Sequence, residues 1–375
     1  MSTLFPTHVY ADRLTRAAAA ARDAGLDGLI FGTGPELAYL TGSWMQTYER
    51  FTGLVIPATG TPTMLLPAVD RGDLAHSAIP ELDIEVCGWV DGEAPHTLAV
   101  AALGDLPTAP TIGLGSSLTA DHVLPLQGLL QGTTVLASHV LKELFMRKDA
   151  AEISALREAG AAIDRVHAMV PELLVPGRTE AQVAAELERL ILQEHASVDF
   201  IIVGSGPNGA NPHHAYSDRV LELGDVVVVD IGGTFGPHYH SDCTRTYIVG
   251  GPQQPVADPD FARLYGVLEQ AQAAAVRAVR PGVTAASIDA VARDVITEAG
   301  FGEDFIHRTG HGIGLSLHEE PFIMAGNELV LEPGMAFSVE PGIYLEGRVG
   351  ARIEDIVIVT EHGCESVNNQ PHGLQ

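Results

Sequence analysis

Apolar positions along the chain change their period more than once. "YADRLTRAAAAARDAG" has helical composition and stops at a glycine suited to the left-handed position that closes a helix. "DGLIFG" follows as a short strand, and "FTGLVIPATGTPTMLLP" gives two apolar strands around a Gly/Thr/Pro turn. This first third predicts an α/β domain with no chemical cluster of its own. Near Arg147 the texture shifts to a long helical pattern, "LKELFMRKDAAEISALREAGAAIDRVHAMVPELLV", which places a domain boundary there and divides the chain into 1–146 and 147–375. Beyond it, "EAQVAAELERLILQEH", "DFARLYGVLEQAQAAAVRAV" and "ASIDAVARDVITEAG" read as helices alternating with strands.

The strand "GDVVVVDIGG" carries Asp230 at the end of a valine run. A charge in such a setting costs several kcal/mol unless it is protonated, paired or bound to a metal. An internal echo bears on the choice. "LELGDVVVVDIG" and "LEPGMAFSVEPG" share the pattern L-E-x-G-x5-acid-x-G, so Asp230 and Glu340 occupy equivalent positions. Each is followed by a second apolar strand with an acid near its start, Asp242 in "SDCTRTYIV" and Glu354 in "ARIEDIVIV". The pattern predicts a duplicated hairpin around a pseudo-twofold axis that brings four acids to one point.

Converging carboxylates repel one another and need positive charge between them. The only lysines, Lys142 and Lys148, fall at the domain boundary in the sequence. Divalent cations are the natural compensation, and oxygen ligands with one imidazole suit manganese, cobalt or zinc. The imidazole candidates are His307, His311 and His318 in "FIHRTGHGIGLSLHEEP", among glycines that allow close backbone approach. His213 and His214 lie in a turn-rich loop before the first acidic strand, where one of the pair is expected to be a surface residue. Strand alternation puts Arg352 on the face of Glu354, and Asp242 with Thr244 and Thr246, with Cys243 pointing away.

Composition narrows the classes further. The formal charge of −27 over 375 residues disfavours nucleic acid and anionic membranes as partners. Three widely spaced cysteines form neither a disulfide framework nor a thiolate metal site, which fits a reducing compartment. No signal peptide or membrane span is expected, and the cytoplasm is the expected location. Trp44 and Tyr48 are expected to be buried aromatic packing.

The order Asp230, "SDCTRT", "HRTGHGIG", "VEPGIY" and "RIED" resembles the dinuclear-metal Xaa-Pro peptidases of the pita-bread fold, the prolidases and aminopeptidases P. The first third resembles their creatinase-like domain, with "ELAYLTG" close to a recurrent Asn-x-x-Tyr-Leu-Thr-Gly stretch. The resemblance implies an α+β protein: a curved, mainly antiparallel sheet covered by helices, preceded by a smaller α/β domain. It further implies that Asp230 chelates one metal, that His311 and Glu340 bind a second, and that Asp242 and Glu354 bridge the two. Manganese is the first expectation for both ions, with cobalt or zinc as alternatives. His213 matches a substrate-loop histidine, His318 one that polarises the carbonyl, and His307 and Arg352 outer positions of the site. Glu340 is the candidate to relay a proton to the departing proline nitrogen. The spacing from Asp230 to Asp242 is one residue longer than the family pattern, with Gly236 and Pro237 available to absorb it.

The implied reaction is hydrolysis of an Xaa-Pro imide bond by a hydroxide bridging two metals, with small peptides carrying proline at the second position as substrates and a homodimer as the assembly. A dipeptidase is favoured over an aminopeptidase P acting on longer peptides. The two should differ in whether a cation or loop closes the site just beyond proline. Methionine aminopeptidase usually lacks the first domain, creatinase does not keep the metal ligands, and a peptidase-like binding module would have lost ligands that are all present here.

Overall fold

The computed structural model describes residues 4–374. The chain divides into two compact units, one ending at Phe145 and the other beginning at Met146.

The first unit opens with α1 (Thr7–Asp23), which ends as its glycine requires: Gly25, just beyond, has φ 72°. Next come β1 (Gly28–Gly32), α2 (Pro35–Thr41), β2 (Gly53–Pro57), β3 (Thr63–Pro67), β4 (Glu85–Trp89), α3 (Pro95–Ala101), β5 (Thr111–Leu114), α4 (Ala120–Leu129) and β6 (Thr133–Leu136). The strands form one mixed sheet in the order β4-β3-β2-β1-β5-β6. β1 and β2 have every position buried, so they read as continuous apolar runs rather than alternating ones. In the loop before β2, Trp44 is half-buried but Tyr48 is 92% exposed, so the expected buried packing fails for Tyr48.

α5 (Ser138–Met146) closes the first unit, and in the second α6 (Ala150–His167) starts at a capping box formed by Asp149 and Glu152. The short α7 (Val170–Leu173) and α8 (Glu180–Glu194) lead into an antiparallel sheet of β7 (Ser197–Ser205), β8 (Val226–Phe235) and β9 (Tyr239–Ile248). α9 (Phe261–Ala278) and α10 (Ala285–Glu298) then precede β10 (Gly310–Gly312), β11 (Glu319–Ile323), β12 (Ala336–Val339), β13 (Gly342–Leu345), β14 (Val349–Arg352), β15 (Asp355–Val359) and β16 (Cys364–Ser366). Each helix pair covers its own strands: α6 and α8 share a core with β7 to β9, and α9 and α10 share one with β12 to β15.

The repeat runs deeper than the two acidic strands. Thr179 caps α8 and bridges to Val220, and Thr284 caps α10 and bridges to Val330. Gly177 and Gly282 donate their amides to Leu221 and Leu331, the leucines that open the two echoed stretches. Gly224 and Gly334, at φ 84° and 90°, turn the chain into the acidic strands in both halves.

The halves differ where the acids emerge. β8 and β9 form a plain hairpin, and their register runs unshifted from Val226↔Ile248 to Phe235↔Tyr239. The longer spacing is absorbed in the turn, where Gly236 and His238 take φ 52° and 67°. In the second half "ARIEDIVIV" is not one strand. It breaks at Ile353 and Glu354 between β14 and β15, and the hairpin of β13 and β14 is inserted between the paired β12 and β15. Glu340 and Glu354 therefore leave the ends of strands rather than their faces.

Candidate active site

Asp230, Asp242, His311, Glu340 and Glu354 line one cavity of about 650 Å³, together with His213, His307, His318 and Arg352. These nine candidates from the sequence thus border the same space. Asp242, His311 and Glu354 each offer one ligand atom within 4.8 Å of the others. Asp242 and Glu354 are 3% and 1% exposed, and Asp230 is 8%.

The strands deliver these groups through register. Asp230 lies opposite Thr244, and Asp242 opposite Gly232, so both acids and Thr244 share one face of the β8 and β9 hairpin. Thr244 Oγ1 donates to Glu354 Oε2 at 2.7 Å and accepts from Arg352 Nε at 3.2 Å, which ties the two halves together. Arg352 Nη2 pairs with Asp230 Oδ2 at 2.7 Å, and Nη1 donates to Tyr344 Oη at 2.8 Å.

β10 must pass close beneath β12 to set His311. A Cβ at Gly310 would sit 1.8 Å from the Ser338 carbonyl oxygen, so only glycine fits there. The amide of His311 donates to Ser338 Oγ, whose own hydroxyl donates to Glu340 Oε1 at 2.9 Å. His311 Nδ1 lies 3.1 Å from the Gly312 carbonyl, an acceptor, so Nδ1 carries the proton and Nε2 is presented to Glu340 at 3.2 Å and Asp242 at 3.7 Å.

The electrostatics are those of a site short of positive charge. Burial pushes Asp242 well above the usual carboxylate range, and the charge of Glu354 adds to it; burial with Glu340 and Asp230 does the same to Glu354. Asp230 is raised by burial against the pull of Arg352. Burial also opposes ionisation of Glu340, but when His311 carries a second proton, on Nε2, its hydrogen bond and charge, with His307 and Arg352, outweigh burial and bring that carboxyl to about 2. Asp230 Oδ1 and Glu354 Oε1 are buried oxygens without a hydrogen-bond partner. Unpartnered carboxylate oxygens around an imidazole nitrogen fit divalent cations held by oxygen and nitrogen.

Around this centre, His318 packs against His311 with ring centroids 3.8 Å apart and the rings tilted by 37°, and burial, then His311 and Arg308, lower its pKa. His307 reaches Tyr344 Oη at 2.9 Å through Nε2 and the Arg308 carbonyl through Nδ1. His213 is exposed at the cavity wall. Of the histidine pair, His213 is thus the exposed member, while His214 is half-buried with its Nε2 on Glu180 at 2.9 Å. Lys148 is also closer than its sequence position implied, for its ammonium pairs with Glu319, the neighbour of His318.

Sequence reading missed Tyr344, Ser338 and Arg308. Tyr344 stands four residues after Glu340, and its Oη links His307 to Arg352, a role that depends on the inserted hairpin and has no motif of its own. Arg308 was visible only as part of "HRTGHG". Its guanidinium lies 4.5 Å over the Phe322 ring at the cavity wall and 3.4 Å from His318 Nδ1, and among the described residues it has no carboxylate partner.

Comparison with known proteins agrees with this geometry. The family model for metallopeptidase family M24 matches residues 154–361, and the creatinase/prolidase N-terminal domain matches 13–144. A probable dipeptidase PepE of Mycobacterium tuberculosis is 59% identical over 374 residues, covering 100% of this chain and 98% of that protein. An Xaa-Pro dipeptidase of Lactobacillus helveticus is 35% identical over 348 residues, 90% of this chain and 92% of the relative. The crystal structure of dipeptidase PepE from Mycobacterium ulcerans superposes with a TM-score of 0.94 at 58% identity, covering 99% of this chain and 98% of that one. The fold and the acidic centre define a metal-dependent hydrolase of the pita-bread class. The chain belongs to metallopeptidase family M24, with a creatinase/prolidase N-terminal domain, and is a divalent-metal peptidase.

Proposed function

We propose that this peptidase hydrolyses the imide bond of Xaa-Pro dipeptides with two divalent ions, manganese foremost. Asp230, Asp242, His311, Glu340 and Glu354 would hold the ions in this reading. The observation that carries it is the pair of unpartnered buried oxygens, Asp230 Oδ1 and Glu354 Oε1, in a cavity with more carboxylates than cations. Bound there, divalent ions supply Lewis acidity toward the scissile carbonyl and lower the pKa of water toward neutrality.

The chain's own groups orient and move protons. Glu340 takes a proton from the attacking water and passes it to the departing proline nitrogen, a relay for which its place on the cavity wall beside His311 suits it. His318 donates to the developing oxyanion, and His213 contacts the peptide from the opposite loop. Arg352 fixes Asp230 and, through Tyr344, steadies His307. Proline offers no amide hydrogen, so its ring is recognised by shape, for which Phe200, Ile202 and Leu317 furnish apolar wall.

Arg308 favours the dipeptidase over the longer-peptide alternative, because a cation lacking a carboxylate partner at the wall suits a free carboxylate directly after proline. A homodimer in the cytoplasm belongs to the same proposal on family resemblance alone. The test compares an Xaa-Pro dipeptide with the matching Xaa-Pro-Xaa tripeptide on manganese-loaded protein. The dipeptide is expected to be preferred, with Arg308→Gln raising its KM about tenfold or more. Faster tripeptide cleavage would favour an aminopeptidase.

A further inference from the structure

Glu180, the first residue of α8, is fully enclosed at 0% exposure. Its Oε1 accepts from the Ser205 amide at 2.7 Å, the Ser205 hydroxyl at 2.6 Å and Asn208 Nδ2 at 3.0 Å. Its Oε2 accepts from the Ser217 amide at 2.9 Å, the Ser217 hydroxyl at 2.6 Å and His214 Nε2 at 2.9 Å. Six donors on one buried carboxylate far exceed what a helix cap needs. They are spread along the connection from the end of β7 to Ser217, and His213 lies inside that span, at the cavity wall.

The geometry of the clamp is one-sided. No donor comes from α8 beyond Glu180 itself, so the carboxylate spends its capacity on the loop. The neighbouring Pro212 carbonyl takes a contact from Arg352 Nη2 at 3.4 Å, which ties the same loop to the acidic centre. Burial disfavours the ionised form of Glu180, but the Ser205, Ser217 and His214 donors outweigh this and hold its pKa below the ordinary carboxylate value. The start of a helix adds to that preference.

The other half of the repeat has a parallel device. Asp289 on α10 is 1% exposed and accepts from the Thr309 amide and hydroxyl, while Arg293, paired with Asp289, donates to the Phe305 and His307 carbonyls. α8 and α10 thus each hang a histidine-bearing loop from a buried acid.

We propose that Glu180 is a positioning residue for the reaction: its carboxylate fixes the 205–217 loop so that His213 is held where the peptide binds, and it acts through His213 rather than on substrate or metal. This rests on the reading of the cavity as a peptidase site. Replacing it by glutamine keeps the volume but turns one acceptor into a donor that faces other donors, so the clamp opens on one side.

The test uses manganese-loaded full-length protein, with Glu180→Gln, His213→Ala and the double variant. Hydrogen–deuterium exchange, measured without substrate, is expected to rise in 206–217 for Glu180→Gln and to stay unchanged in 307–318, with bound manganese unaltered. On an Xaa-Pro dipeptide, kcat/KM is expected to fall roughly 10- to 100-fold in Glu180→Gln, and the double variant is expected to be no slower than His213→Ala alone. Should Glu180→Gln not fold, Ser217→Ala removes a donor from the loop side and is read the same way. Unchanged exchange in 206–217, or losses that multiply in the double variant, would overturn the proposal. A wild type inert on Xaa-Pro peptides would instead sink the Xaa-Pro reading, which the substrate-free exchange separates from failure of the clamp.

Discussion

At the scale of single residues, the site is built from groups that disfavour each other until positive charge arrives. Asp242 and Glu354 have pKa values raised above the ordinary 3.8 and 4.5 of the unfolded chain. A raised acid holds its proton in the fold, so its contribution to stability is complete below the unfolded value and is lost as pH rises through the folded one. Metal-stripped protein should therefore lose stability from these two groups as pH climbs, whereas a bound cation displaces the protons and reverses the trend. The rise in Tm produced by a fixed manganese concentration is expected to be larger at pH 8 than at pH 6, and a rise independent of pH would contradict the assignment. Asp242→Asn has effects of opposite sign in the two states. In metal-stripped protein it removes the group whose ionisation costs stability as pH rises, a gain of about 1 kcal/mol or about 2 °C in Tm that is largest at pH 8, yet it abolishes the manganese-induced shift. Calorimetric melts with and without metal check both.

At the scale of elements, much of the second unit was legible because the repeat is written twice. The glycines at 224 and 334, the apolar runs after them and the acids at fixed distance are backbone requirements, and they survive into the structure as equivalent turns and strands. The inserted hairpin of β13 and β14 was not legible, since "ARIEDIVIV" carries no turn residue at Ile353 and Glu354 where the strand breaks. That break is held from behind. Arg245 Nη1 donates to the Glu354 carbonyl at 2.5 Å and Nη2 to Asp355 Oδ1 at 2.7 Å, with Gln272 and His372 completing the shell of Asp355. Arg245→Met leaves Asp355 buried without its main counter-charge and frees the backbone at Glu354. A loss of about 3–5 kcal/mol is expected by denaturant titration, with weakened manganese affinity; a neutral effect would show the network to be dispensable. Gly310→Ala should likewise unseat β10 from β12, because the added methyl meets the Ser338 carbonyl at 1.8 Å.

At the scale of the whole molecule, the sequence placed all nine candidate residues on one cavity, yet left open what surrounds them. The metal-ligand pattern is local and ordered along the chain, whereas Tyr344, Arg308 and Glu180 act through contacts that only the fold creates. No helix among the described residues is long and apolar enough to cross a membrane. With a net charge of −27, the acids inside the second unit add to a surface already negative, so cation binding should be favoured by the molecular field as well as by the ligands. The most direct measurement is calorimetric titration of metal-stripped protein with manganese, in the wild type and in Glu354→Gln, followed by assay on an Xaa-Pro dipeptide. Saturable uptake of two ions per chain is expected in the wild type, lost or halved in Glu354→Gln, with hydrolysis appearing as the sites fill. Absence of saturable uptake of manganese, cobalt or zinc, or uptake indifferent to Glu354→Gln, would contradict a metal centre at these acids.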